Sequence, residues 1–348
     1  MYNDIQQARK EAAAKHTSRN KLFMKEFLRR NLNFLKLIKE LIPFAGEGCP
    51  LVFNFRSYSA NNFLRRIIKF IVTPFYILKY FFHGKISDND SNRSGLAIVL
   101  IAKNEAPYIL EWINFHVKQG VSHFLIYDNE STDNLLEVLQ PFIASGLVTY
   151  NKIPGKIRQT DAYNHAVYNY KKKFKYFAII DADEFLFTPD NAEPGALYKF
   201  VDDFMNKHKN AGGIGANWLV FGSSGHETKP AGGVLENYTR CAEKDFGAHH
   251  LIKTICDPLK VFACSVHFCV YYGGFYTLSE NGEIVNRAES QTINFDKIRI
   301  NHYFMKSKQE FVQKIMRGMA DNKVIRNIQD FYCMDRNEAL DTEILSHI

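Results

Sequence analysis

Beyond Gly95 the chain alternates short apolar runs with longer stretches whose apolar positions recur every three or four residues. Leu96-Ala97-Ile98-Val99-Leu100-Ile101 contains no polar position, the pattern of a strand covered on both faces. Pro107 stands at a helix start, and residues 108–118 keep helical spacing. Residues 124–127 predict a second strand, 132–140 a short helix stopped by Pro141, and 147–150 a third strand. A helix over 159–173 and a fourth strand over 176–180 follow. Strand–helix alternation with short connections predicts an α/β fold built on a mostly parallel sheet with right-handed crossovers. In such sheets ligands bind at the carboxyl ends of the strands.

The first third reads differently. Residues 21–42 and 63–82 each carry apolar, aromatic-rich positions at helical spacing with Lys and Arg between them, the pattern of basic amphipathic helices. The longest charge-free run there, residues 70–78, is nine long and contains Pro74, against the roughly 20 apolar residues a bilayer span needs. Residues 1–95 hold 17 basic and 7 acidic side chains (17 − 7 = +10), while 96–348 hold 27 and 30 (27 − 30 = −3). A basic third on a slightly acidic body points to an anionic membrane surface as its partner. The competing reading is a helix pair packed on the body with its basic faces solvated. Nucleic acid is not expected, because no nucleic-acid-binding motif accompanies the charge. The polar stretch 87–95 reads as a linker, which divides the chain into a basic helical extension (1–94), a main domain (95–325) and a tail (326–348).

The first twenty residues lack an apolar core segment, so no signal peptide is expected. A cytoplasmic location, peripheral on the inner membrane face, follows. The six cysteines form no C-x-x-C pair, which argues against a zinc site of the usual spacing and for reduced, partly buried thiols.

The predicted strands end in polar residues: Lys103-Asn104-Glu105 after the first, Asp128 to Asp133 after the second, and Asp181-Ala182-Asp183-Glu184 after the fourth. Asp181 and Asp183 are two apart, so in extended backbone both carboxylates project to one side. Two anionic oxygen ligands at a sheet lip suit Mg²⁺ or Mn²⁺, which keep further positions for substrate phosphates. A solvated turn is the ordinary reading of an isolated Asp-x-Asp. Here the pair follows a wholly apolar strand and three earlier strands, which favours a metal–phosphate site.

The ordered set Ile101-Ala102-Lys103-Asn104-Glu105, Tyr127-Asp128-Asn129-Glu130-Ser131-Thr132-Asp133 and Asp181-Ala182-Asp183-Glu184-Phe185 resembles nucleotide-sugar glycosyltransferases of the GT-A fold, nearest the family 92 and family 2 types. Arg158 to His165 and Asn301 to Ser307 are similar to that type too, and the resemblance covers about residues 96–320. It implies a Rossmann-like GT-A domain. Asn104 and Glu105 would line the nucleotide pocket, with Asp128 or Asn129 on the base or ribose. Asp181 and Asp183 would hold the cation bridging the donor's diphosphate, with Arg158 and Gln159 supporting the same oxygens. A late histidine, His267 or His302, would complete the metal shell. Either could equally be a core histidine.

The resemblance further implies transfer of a sugar from a nucleoside diphosphate, UDP being the expected nucleotide, to a hydroxyl of a glycan or lipid-linked acceptor with inversion. The expected product is a surface polysaccharide or glycoconjugate. His226 and Glu227 are the candidate general bases, with Glu184, Glu243 and Asp257 in competition. The glycine-rich stretch 212–227, which holds Trp218, reads as a flexible loop over a sugar or a surface loop around a buried Trp. Ser307-Lys308-Gln309-Glu310 predicts a capping box opening a helix over 311–319. Two readings from other classes are an Asp-x-Asp phosphatase and a non-catalytic sugar- or membrane-binding module.

Overall fold

A computed structural model describes residues 92–317 and 327–348. The basic amphipathic stretches therefore lie outside the described residues. Strand β1 (Leu96–Ala102), helix α1 (Ala106–Lys118), β2 (Val121–Asp128), α2 (Leu135–Ala144), β3 (Val148–Lys152), α3 (Gln159–Tyr170) and β4 (Tyr176–Ile179) follow the predicted alternation. β1 pairs in parallel with β2 on one side and β4 on the other, and β2 in parallel with β3. The order β3-β2-β1-β4 reverses direction between β1 and β4, which is where an α/β sheet opens a ligand crevice.

The remaining strands are β5 (Glu184–Phe187), β6 (Ala211–Val220), β7 (Arg240–Cys241), β8 (Ile252–Cys256), β9 (Val261–Cys264), β10 (Cys269–Tyr271), β11 (Tyr276–Leu278), β12 (Ile284–Val285), β13 (Arg299–His302) and β14 (Ala339–Leu340). The helices among them are α4 (Ala196–Lys207), α5 (Val234–Asn237), α6 (Lys308–Arg317) and α7 (Ile328–Met334). β8 runs antiparallel between β4 and β6, so the expected parallel character holds for β1 to β4 and turns mixed beyond them. β13 pairs in parallel with β6 and antiparallel with β5, which brings His302 opposite Glu184.

Both faces of β1 are covered. Leu96, Ile98 and Leu100 pack with Trp112 and Ile113 of α1, while Ala97, Val99 and Ile101 pack with Ala162, Tyr163 and Ala166 of α3. This explains the unbroken apolar run. Two local expectations change. Pro141 lies inside α2 rather than stopping it. Pro141 and Glu137, whose carbonyl it deprives of an N–H, are both exposed residues, while Leu135 and Leu139 anchor the other face. The glycine-rich residues 212–218 are not a loop but the buried middle of β6. A Cβ on Gly212 would lie 2.4 Å from Tyr271 Cδ1, and one on Gly213 would lie 2.5 Å from the Ile255 carbonyl. These glycines serve close packing, not flexibility.

The capping box forms: Ser307 N–H donates to Glu310 Oε2 (3.1 Å) and Glu310 N–H to Ser307 Oγ (3.3 Å). The segment read as a tail is folded onto the body. Phe331 of α7 packs on Phe311 of α6, β14 pairs with β7, and Arg299 makes a two-pronged ion pair with Asp341 at 3.1 Å. Among the described residues no helix is long and apolar enough to cross a membrane.

Candidate active site

The expected extended geometry of the acidic pair does not hold. β4 ends at Ile179, and residues 181–184 turn back, with Glu184 N–H donating to the Asp181 carbonyl at 3.1 Å. The two carboxylates therefore meet different partners. Asp181 Oδ1 accepts from Gln159 Nε2 (2.9 Å) and Tyr163 OH (3.1 Å) on α3, and Oδ2 accepts from Lys253 Nζ (2.7 Å) on β8. Asp183 Oδ2 accepts from Lys314 Nζ of α6 at 2.5 Å, and its Oδ1 faces His302 Nε2 at 3.6 Å, too long for a hydrogen bond.

Charge balance follows from these contacts. Burial alone would push the Asp181 carboxyl up, but Lys253 more than offsets it and holds it below the usual carboxylate range. Asp183 likewise loses to burial and gains more from Lys314 and His302, which hold it well below that range. Glu184, with no exposed surface, is pushed up to about 8, mainly by burial. Its Oε2 accepts the Asp181 N–H at 2.8 Å and lies 3.7 Å from Lys253 Nζ. Glu184 thus braces the turn from beneath. Burial lowers His302 despite the neighbouring Asp183.

The two late histidines both pack on Trp218, whose ring centroid is 4.2 Å from His302 and 5.1 Å from His267. His302 Nδ1 is buried without a hydrogen-bond partner. His267 occupies the turn joining β9 to β10, where its Nδ1 contacts the Ile252 carbonyl at 3.2 Å, and burial lowers it to about 4.

The residues assigned to the nucleotide lie at the β1 and β2 exits, where they bond the loops together. Asn104, at φ 56°, accepts from Thr132 N–H (2.7 Å), and Asp128 accepts from Ser131 N–H (2.8 Å) and Tyr150 OH (2.5 Å). Asn129 Nδ2 donates to the carbonyls of Ile153 and Gly155. Glu105 is buried at the start of α1. Arg158 pairs with Asp161 at 2.9 Å, one residue before Gln159 reaches Asp181.

His226 and Glu227 lie at the opposite end of α6 from Lys314. Their carbonyls accept the Lys308 and Gln309 N–H groups, and Glu227 is an exposed partner of Lys308 at 3.3 Å. Asp257 follows β8, at the end of the sheet away from Asp181, and pairs with Arg93 at 2.8 Å.

Sequence reasoning missed Lys253, Lys314 and Tyr163. Lys253 carried a readable signal, a single cation within Leu251-Ile252-Lys253-Thr254-Ile255. A buried lysine in a strand is costly unless ion-paired, so its partners had to be carboxylates.

Two carboxylates and an imidazole are donors that Mn²⁺ or Mg²⁺ accepts. Among the described residues, however, no three His, Cys, Asp or Glu side chains converge as a closed shell. Asp183 Oδ1 and His302 Nε2, 3.6 Å apart and not hydrogen-bonded to each other, fit a cation that takes its other ligands from substrate oxygens.

The sequence model of glycosyltransferase family 92 matches residues 99–334, from β1 through α7, and the chain belongs to that family. It is 26% identical over 253 residues to a family 92 protein of Ricinus communis, covering 71% of this chain and 42% of that one. A family 92 protein of Arabidopsis thaliana is 26% identical over 257 residues, with coverages of 72% and 42%. The match thus spans about two fifths of these relatives' length. Among solved structures, Staphylococcus aureus TarS (residues 1–349, in complex with UDP-GlcNAc) overlaps at TM-score 0.30 and 13% identity, over 47% of this chain and 45% of that one. The mannosyltransferase PcManGT of Pyrobaculum calidifontis, in complex with GDP-Man and Mn²⁺, overlaps at 0.29 and 15%, over 52% and 47%.

Proposed function

We propose that this chain transfers a sugar from a nucleoside diphosphate, UDP by our reading, to a hydroxyl of a glycan or lipid-linked acceptor. The observation that carries the reading is the Asp183–His302–Lys314 group beside the β1/β4 switch point, in a chain that belongs to a glycosyltransferase family. Asp183 and His302 would hold a divalent cation, Mn²⁺ or Mg²⁺. When bound, it would supply Lewis-acid stabilisation of the charge on the departing diphosphate. Lys314 and Lys306, both of which act electrostatically on Asp183, would face the same oxygens. Asp181 is held by Gln159, Tyr163 and Lys253 and would set the turn that presents Asp183.

In the transfer the acceptor oxygen bonds to the anomeric carbon as the bond from that carbon to the phosphate oxygen breaks. The hydroxyl proton goes to a general base, His226 or Glu227 in our reading. Glu184 is too enclosed for that role and acts on the turn instead. The phosphatase reading is disfavoured because both oxygens of Asp181 are taken by protein donors. Placement of the basic third on the cytoplasmic face of a membrane belongs to the same proposal.

The test is a thermal-shift panel of nucleoside diphosphate sugars with and without Mn²⁺. A ligand at 100 times its Kd stabilises the fold by about 2.7 kcal/mol. A Mn²⁺-dependent shift with UDP-sugars supports the reading, and no shift with any nucleotide sugar contradicts it.

A further inference from the structure

On the face of the sheet covered by α3, three cysteine thiols lie together. Cys256 ends β8, Cys264 ends β9 and Cys269 begins β10, and all three are buried. Cys264 and Cys269 are register partners across the antiparallel β9–β10 hairpin, and their sulfurs are 3.4 Å apart. Directly opposed residues of such a hairpin have Cα atoms about 4.5 or 5.5 Å apart, depending on the pair type, and both spacings lie within the range a disulfide accepts. Bond formation therefore needs side-chain rotation rather than movement of the strands.

The hairpin is also placed to matter. Its turn, residues 265–268, is closed by Ser265 N–H donating to the Phe268 carbonyl at 2.8 Å and carries His267 against Trp218. The start of the turn is fixed to α3, where Asn164 bonds both the N–H (2.8 Å) and the carbonyl (3.0 Å) of Cys264.

We propose that Cys264 and Cys269 form an intrachain disulfide by exchange with a small-molecule disulfide, closing the turn that carries His267. Cys269 is the attacking sulfur. It is the one of the pair with any exposed surface, 6% against 0% for Cys264, and so the one an oxidant can reach. The Cys269 thiolate attacks one sulfur of the oxidant RS–SR, giving a mixed disulfide and releasing one RS⁻. Cys264 then gives up its proton and attacks the Cys269 sulfur, releasing the second RS⁻. The two protons from the cysteines end on the two thiolates as RSH, so the oxidant takes both electrons. The cross-link does not depend on glycosyl transfer; only its bearing on the wall beside His302 rests on the function proposed above.

The test treats the full chain with oxidised glutathione, followed by thiol titration in denaturant and peptide mapping without reductant. The expected result is a peptide joining Cys264 to Cys269 with the loss of those two thiols, in the native chain and in Cys256→Ser alike, in addition to glutathione on the exposed Cys333. Cys264→Ser should instead stop at a single glutathione on Cys269. Retention of the Cys264 and Cys269 thiols under conditions that oxidise dithiothreitol, or a cross-link that recruits Cys256, overturns the proposal. Amide hydrogen exchange over 265–268 should slow in the oxidised chain, and unchanged exchange there would overturn the claim that the bond closes the turn.

Discussion

Lys253 Nζ lies 2.7 Å from Asp181 Oδ2 within a strand that leaves none of the lysine exposed, and the same ammonium reaches Glu184 at 3.7 Å. Lys253→Met removes this cation and leaves the Asp181 carboxylate without its ion-pair partner at the turn. Removing one partner of a buried pair costs about 3–5 kcal/mol, and the partial exposure of Asp181 places this pair near the lower end. Urea unfolding checks it. The loss should be similar in Lys253→Met combined with Glu184→Gln at neutral pH, because a Glu184 carboxyl raised to about 8 is already protonated there and the stranded charge is that of Asp181.

Gly212→Ala should destabilise the chain by about 1–3 kcal/mol, since its Cβ meets the Tyr271 ring inside β6. Thermal melting reads this directly. A flexible loop would accept alanine without loss, so an unchanged melting temperature would refute the strand packing described above.

The two histidines should separate in metal titrations. His302→Ala should weaken Mn²⁺ binding by roughly 10-fold or more and also melt lower, because it removes both a metal donor and a buried ring packed on Trp218. His267→Ala should retain Mn²⁺ affinity and melt lower, because its ring packs on Trp218 and contacts the Ile252 carbonyl. The reverse pattern would exchange their roles.

How much of this was legible follows the range of the interactions. The run Leu96 to Ile101 announced a strand covered on both faces because each side chain's burial is written locally as apolarity. The capping box of Ser307 and Glu310 spans one helical turn and could likewise be read directly. The turn at Asp181 could not, because it is imposed by Lys253, 72 residues on, and by Glu184 beneath it. Lys314 meets Asp183 across 131 residues, and no local pattern marks which lysine of a helix will do so. Gly212 and Gly213 look like flexibility until Tyr271 is laid against them.

The basic third gives a separate test. Lys and Arg near an anionic surface contribute about 1 kcal/mol each. The full chain should sediment with anionic vesicles, weakly with neutral ones, and less as salt rises. A truncation beginning near Ser94 should lose this binding and keep the nucleotide site. Indifference of the full chain to anionic vesicles would contradict the membrane reading.

The central claim is that Asp183, at the lip of the β1/β4 crevice, is the carboxylate through which a cation and a nucleoside diphosphate are held together. Calorimetric titration of UDP into the full chain and into Asp183→Asn, each with and without Mn²⁺, tests it most directly. The account predicts Mn²⁺-dependent binding that Asp183→Asn loses while the variant remains folded. Equal UDP affinity in both proteins, or binding indifferent to Mn²⁺, would contradict it.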